Sequence, residues 1–169
     1  MLTGPEIERQ VALGRIVIDP WSNANVGPNS VDVHLHPEIA VYAVFLLDAK
    51  VNNPVARFAI PATGYVLRPG RLYLARTVER TYTPFHVPQI SGRSSIGRLG
   101  IRIHATAGFG DVGFDGTWTL EIDVVYPVRV YPGLRIAQVY FSEPVGELRQ
   151  YAGSYQGQVN ATPSRMHRP

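Results

Sequence analysis

A β-rich barrel or sandwich is the fold class this sequence predicts. Three observations carry the prediction: short apolar runs with strand spacing recur through most of the chain, prolines and glycines punctuate them, and helical spacing is confined to two short stretches. The first helix is expected over residues 3–13. Thr3 is placed to cap, Pro5 falls in the first turn, Glu6 stands three residues after Thr3 as in a capping box, and Ile7, Val11 and Leu13 form an apolar stripe that Gly14 ends. Strands are then expected at residues 16–19, at 31–35 where apolar and polar residues alternate, at 40–47 as a buried run, and at 65–67 and 72–75. A single helical turn over residues 94–99 follows, with Ser94 or Ser95 as its N-cap. The last strands are expected at 119–124, 128–130 and 136–141. Pro69-Gly70 and Pro132-Gly133 each fit the centre of a type II turn, which reads as ordinary hairpin chemistry in preference to an internal repeat.

With 169 residues, 45% hydrophobic and 17% charged, the sequence fits one domain with its own core, spanning residues 1–169. The chain has no cysteine, so disulfides, thiolate metal sites and cysteine nucleophiles are excluded. No apolar run is long enough to span a bilayer, and residues 1–6 lack the layout of a signal peptide, so a cytoplasmic location without membrane partners is expected. The net charge of +3 comes almost wholly from arginine, since Lys50 is the one lysine. Arginine suits bidentate recognition of phosphate and carboxylate. The arginines are scattered rather than clustered, which argues against nucleic acid as a partner. The tail, residues 148–169, is rich in Gly, Ser, Gln and Pro and too poor in apolar residues to fold alone; it is expected to be disordered, or ordered by a ligand or a neighbouring subunit.

Chemistry concentrates between residues 91 and 121. Arg93, Ser94, Ser95 and Arg98 put two guanidinium groups and two hydroxyls around the start of a helical turn, a suitable place for an anion; an ordinary capped turn with surface arginines is the plainer reading. Asp111 lies among Gly108, Gly110 and Gly113, where backbone can approach a ligand and a carboxylate can accept from a sugar hydroxyl; it also suits an Asp-initiated turn. Glu121 shares one strand face with Thr119 and Asp123, opposite Trp118, Leu120 and Ile122. A carboxylate on a polar face that lines a closed site can take a proton from water and return it. His104 is followed two residues later by Thr106 rather than glutamate, and cysteine is missing, so the zinc deaminase mechanism is excluded. His34 and His36 alternate along a strand, which is expected to be an exposed face rather than a metal pair.

Jointly these residues resemble the dCTP deaminase family, a branch of the trimeric dUTPase-like superfamily. The likeness rests on Gly92-Arg93-Ser94-Ser95-Ile96-Gly97-Arg98-Leu99-Gly100, on residues 104–111 and 116–121, and on the tail Tyr155-Gln156-Gly157-Gln158 with Pro163-Ser164-Arg165. Gly14-Arg15-Ile16, Asp19-Pro20 and Gly27-Pro28-Asn29-Ser30-Val31-Asp32 add to it. The resemblance implies a mainly β, distorted barrel of dUTPase-like type with a few short helices, a homotrimer, and active sites shared between subunits. It implies hydrolytic deamination of dCTP to dUTP and ammonia without zinc, with magnesium bound through the substrate phosphates, and with dTTP as a possible inhibitor. It assigns catalysis to Glu121, Ser94 and Arg98. It assigns nucleotide binding to Arg93, Ser94, Ser95, Ile96, Gly97, Arg98, Asp111, Thr119, Leu120, Glu121, Gln138, Tyr151, Tyr155 and Gln158, with Thr119 and Leu120 acting through their backbone and the tail closing over the triphosphate.

Two positions depart from the family pattern. Gly110 replaces an isoleucine and is expected to loosen the loop that holds Asp111. Ser154 replaces a lysine that touches phosphate. One branch of the family converts dCTP to dUMP and diphosphate in a single site, and Thr106-Ala107-Gly108-Phe109, Gln138 and the tail lean towards it. That bifunctional reaction is the second expectation, a pure dUTPase the third, and a non-catalytic nucleotide-binding regulator the reading from another class.

Overall fold

The computed structural model describes residues 1–104 and 107–168. Ala105 and Thr106, the latter cited above for the bifunctional branch, lie outside the described residues. The fold is mainly β, a nearly closed barrel-like sheet with few helices, as the sequence predicts.

Ten strands carry it: β1 (Val17–Asp19), β2 (Val31–Tyr42), β3 (Val55–Ala59), β4 (Tyr65–Leu67), β5 (Tyr73–Tyr82), β6 (Val87–Gly92), β7 (Ile101–Arg102), β8 (Asp115–Val124), β9 (Val128–Val130) and β10 (Arg135–Ser142). Eight form one antiparallel sheet in the order β6-β10-β2-β5-β8-β7, with β1 added to β5 and β3 to β2; β4 and β9 pair separately. The register shifts between Leu35 and Ile39 where β2 meets β5, and between Arg76 and Arg80 where β5 meets β8. Such irregularities bend strands and raise twist, which curls a long sheet towards closure. Alternate residues of the long strands fill the interior: Val31, Val33, Leu35 and Ile39 from β2, Leu120 and Ile122 from β8, and Ile136, Val139 and Phe141 from β10 are all buried.

Helix α1 (Gly4–Ala12) begins after Thr3, as expected, but the capping box does not form. Thr3 makes no side-chain cap bond. Glu6 instead accepts from Arg9 at 2.8 and 2.7 Å and from Gln10 at 2.6 Å, contacts that hold its carboxyl at about 2. Ile7 is fully buried, whereas Leu13 is 54% exposed and leaves the expected stripe. Helix α2 (Ser94–Gly97) is a single turn whose N-cap is Arg93, not either serine; Ile96 and Gly97 both donate to the Arg93 carbonyl.

The strand expected at residues 40–47 ends at Tyr42. Beyond it Val44, Phe45, Leu46 and Leu47 are exposed, so this apolar run is not a buried strand. β3, β6 and β7 were not expected, because Arg57, Pro88 and Arg102 break their patterns. Gly70 and Gly133 have the positive φ (76° and 73°) that the Pro-Gly turns require. Neither turn closes a hairpin: each carries the chain from the small β4–β9 pair into the large sheet, to β5 and β10. No helix among the described residues is long and apolar enough to cross a membrane.

Candidate active site

Strand β8 builds the site by alternation. Leu120 and Ile122 are fully buried in the core, while Thr119 and Glu121 turn to the other face. There they line a cavity of about 420 Å³ together with His104, Asp111, Phe114, Trp118 and Leu72. Tyr151, Tyr155 and Gln158 of the tail complete the wall. The Glu121 side chain is 32% exposed and its Oε2 lies 3.8 Å from Nδ1 of His104, whose ring is nearly buried. The Glu121 N–H donates to the Ile103 carbonyl at 2.9 Å, which fixes the backbone beneath the carboxylate.

Chain order within the tail comes from β8. The Thr117 N–H donates to the Gln158 carbonyl at 2.9 Å, and the Gln158 side-chain amide donates back to the Thr117 carbonyl at 2.8 Å. Gly157 N–H donates to the Asp115 carbonyl, Asp115 N–H to the Gln156 side chain, and Thr162 N–H to the Thr119 hydroxyl. Ala161 is fully buried and Ser164 N–H donates to the Tyr42 hydroxyl. Composition predicts a tail that is disordered or ordered by a ligand or a neighbour; here the chain's own strand supplies the partners.

The Asp111 loop is held as firmly. Residues 108–110 run beside β6, with Ile90 N–H donating to the Gly108 carbonyl at 2.8 Å and Gly110 N–H donating to the Pro88 carbonyl at 3.0 Å. A Cβ at Gly110 would stand 2.5 Å from the Trp118 ring and 2.9 Å from the Pro88 oxygen. Glycine at 110 therefore lets the backbone pack against Trp118 rather than loosening the loop, which corrects the sequence reading. Asp111 is exposed at the cavity wall, and its carbonyl accepts from Phe114 N–H at 3.2 Å, so it also opens a turn.

The remaining expected site residues lie elsewhere in the chain. Ser94, Ser95, Gly97 and Arg98 are exposed and Ile96 is buried in the core; none of them lines the Glu121 cavity. Arg93 pairs with Asp32 at 3.0 Å, and Arg135 approaches the same carboxylate at 3.7 Å. Gln138 lines a separate cavity of about 480 Å³ with Ser30 and Ser91. The Leu120 side chain faces the core, so only its backbone is available to a ligand. One chain thus divides the expected residues into two groups: Asp111, Thr119, Glu121 and the tail in one place, Arg93–Arg98 and Gln138 in another. His34 and His36 do not form an exposed face either. Nδ1 of His34 lies 2.5 Å from the buried Glu79 carboxylate, and Nε2 of His36 lies 2.6 Å from Arg76.

A family model described as dCTP deaminase-like matches residues 1–143. The chain belongs to the dCTP deaminase-like family. Among curated relatives, the protein named "dCTP deaminase, dUMP-forming" of Leptospira biflexa serovar Patoc is 47% identical over 169 residues, covering 99% of this chain and 97% of that protein. The protein of the same name from Hathewaya histolytica is 46% identical over 167 residues, covering 98% and 96%. The crystal structure of 2′-deoxycytidine 5′-triphosphate deaminase from Agrobacterium tumefaciens superposes with a TM-score of 0.67 at 21% identity, over 85% of this chain and 48% of that one. A dUTPase of phage 80alpha gives a TM-score of 0.50 at 15% identity, over 82% and 96%. These two likenesses establish the fold. Within this dCTP deaminase-like chain, the cavity residues that the sequence did not single out are Tyr42, Leu72, Leu74, Phe114 and Thr162. Tyr42 ends β2 and Leu72 immediately precedes β5, so both are remote in sequence from Glu121 and carry no local signal. The nearness of His104 to Glu121 follows from the bond of the Glu121 N–H to the carbonyl of the adjacent Ile103, a pairing that no local pattern shows.

Proposed function

We propose that the chain deaminates dCTP hydrolytically and cleaves the triphosphate in the same site, yielding dUMP, diphosphate and ammonia. The sequence put dUTP first and dUMP second. The names of the relatives, which match nearly the whole chain at 44–47% identity, favour the reverse order. The observation that carries the reading is the cavity that Glu121 and Asp111 both line, beside a tail zipped to β8.

Each carboxylate has a task. Glu121 takes a proton from water as the oxygen attacks C4 of cytosine, gives that proton to ring N3, and assists departure of ammonia. Asp111 orients a second water towards phosphorus. The tail excludes bulk water, which strengthens the electrostatic effects inside. Magnesium, carried by the phosphates, belongs to the same proposal: it would neutralise their charge, and the exposed carboxylate of Asp111 is a hard oxygen donor that could help hold it.

The cavity of one chain carries Asp111 and Glu121 but no arginine or lysine among its described lining. The exposed Ser94, Ser95 and Arg98 are the complementary group. The proposal therefore includes a homotrimer in which a second copy brings that group to Glu121, placing fixed donors where negative charge develops.

Anion-exchange chromatography of dCTP incubated with magnesium tests the reading. dUMP with diphosphate is the expected product pair. Release of dUTP alone removes the phosphate step, and unchanged dCTP without ammonia leaves a nucleotide-binding regulator.

A further inference from the structure

The Glu121 cavity is acidic as a single chain builds it, yet the proposed ligand is a polyanion. Complementarity calls for cations around the phosphates. The tail carries one that is fixed in place. Arg165 N–H donates to the Tyr155 hydroxyl at 3.0 Å, its guanidinium carbon lies 5.6 Å from the centroid of the Tyr155 ring, and its Nη1 donates to the Ser154 carbonyl. Tyr155 and Ser164, the ring beneath the guanidinium and the preceding residue, both line the cavity. Arg168, three residues on, is exposed and has no such anchoring among the described residues.

A guanidinium offers five N–H donors in a planar fork. One is used on Ser154 and one face lies against Tyr155, so the remaining edge is free to meet a phosphate in the two-pronged geometry that arginine favours. Because the side chain is already held, little rotamer freedom is lost when the anion arrives.

We propose that Arg165 is a phosphate ligand for the triphosphate of the nucleotide, supplied by the chain's own tail. The inference rests on the dCTP reading for the identity of the nucleotide, and adds a binding residue to it.

Isothermal calorimetry on full-length protein carrying Glu121→Gln, which blocks deamination, measures the affinity for magnesium dCTP and for deoxycytidine. Adding Arg165→Ala is expected to weaken dCTP binding at least about tenfold, the loss of one charge-assisted contact, and to leave deoxycytidine binding within about twofold. Ser154→Lys in that background places an ammonium beside the vacated guanidinium site and is expected to restore most of the loss. The inference is overturned by dCTP affinity within about twofold of the Arg165 protein, by an equal loss for deoxycytidine, or by no recovery with Ser154→Lys. The two readings separate cleanly. If Arg165 governs dCTP affinity while the parent protein releases no ammonia, the catalytic proposal fails and this one stands.

Discussion

Glu121 sits on a strand whose other face is core, so its place is set by packing rather than by its own contacts. Glu121→Gln keeps the shape and removes the proposed proton carrier. Turnover of dCTP is expected to fall by at least about a thousandfold while nucleotide binding persists, a split that steady-state rates and calorimetry separate. Gly110 is the residue whose sequence reading changed most. Gly110→Ala forces a methyl group against Trp118 and the Pro88 carbonyl, and neither a strand backbone nor an indole packed on Phe114 yields cheaply. The expected cost is about 1–3 kcal/mol of stability, visible as a lowered melting temperature. The family pattern has a larger side chain at this point, and the sequence could not show that the indole now fills that space, because the contact joins residues from different elements.

At the scale of elements, β8 is paired along its length with β5 but only at Asp123 and Val124 with β7. The tail occupies the edge left open, through Thr117, Asp115 and Thr119. An exposed strand edge is a liability, and covering it is a structural task in its own right. Removing residues 150–168 is therefore expected to lower the melting temperature and to speed hydrogen exchange at Thr117, besides abolishing activity. The strands legible in the sequence were those with clean alternation, such as β8 and β10. β3 and β6 were not, since Arg57 and Pro88 are tolerated at edges of pairing that only the assembled sheet defines. The apolar residues 44–47 misled for the opposite reason: hydrophobicity was present without a partner to bury it.

On the scale of the whole molecule, stability should depend on pH through two imidazoles. Burial, the larger cause, keeps His86 below its ordinary value of 6.5; burial and then the charge of Arg76 do the same for His36. Between the lowered folded value and 6.5 the unfolded chain binds more protons than the folded one, so stability is complete above 6.5 and is lost as pH falls below it. Melting temperature is expected to drop from pH 7 to pH 5, and His86→Gln to flatten that slope. A second prediction concerns assembly. The sequence singled out both groups of candidate residues, but their separation within one chain is a property of the closed sheet that no local pattern encodes. If a homotrimer reunites them, mixing inactive Glu121→Gln and Arg98→Ala proteins after reversible dissociation should restore about a quarter of parental activity, the chance that both neighbours of a shared site are intact. No recovery would place each site within a single subunit.

Strand β8 serves several neighbours at once: β5, β7, the core, the tail and the carboxylate. Few alternatives at residues 115–122 can satisfy all of them, so mutational tolerance there should be narrow. Efforts to evolve altered base preference would do better with libraries at Leu72, Ala107 and Phe109, which face the same cavity from outside that strand.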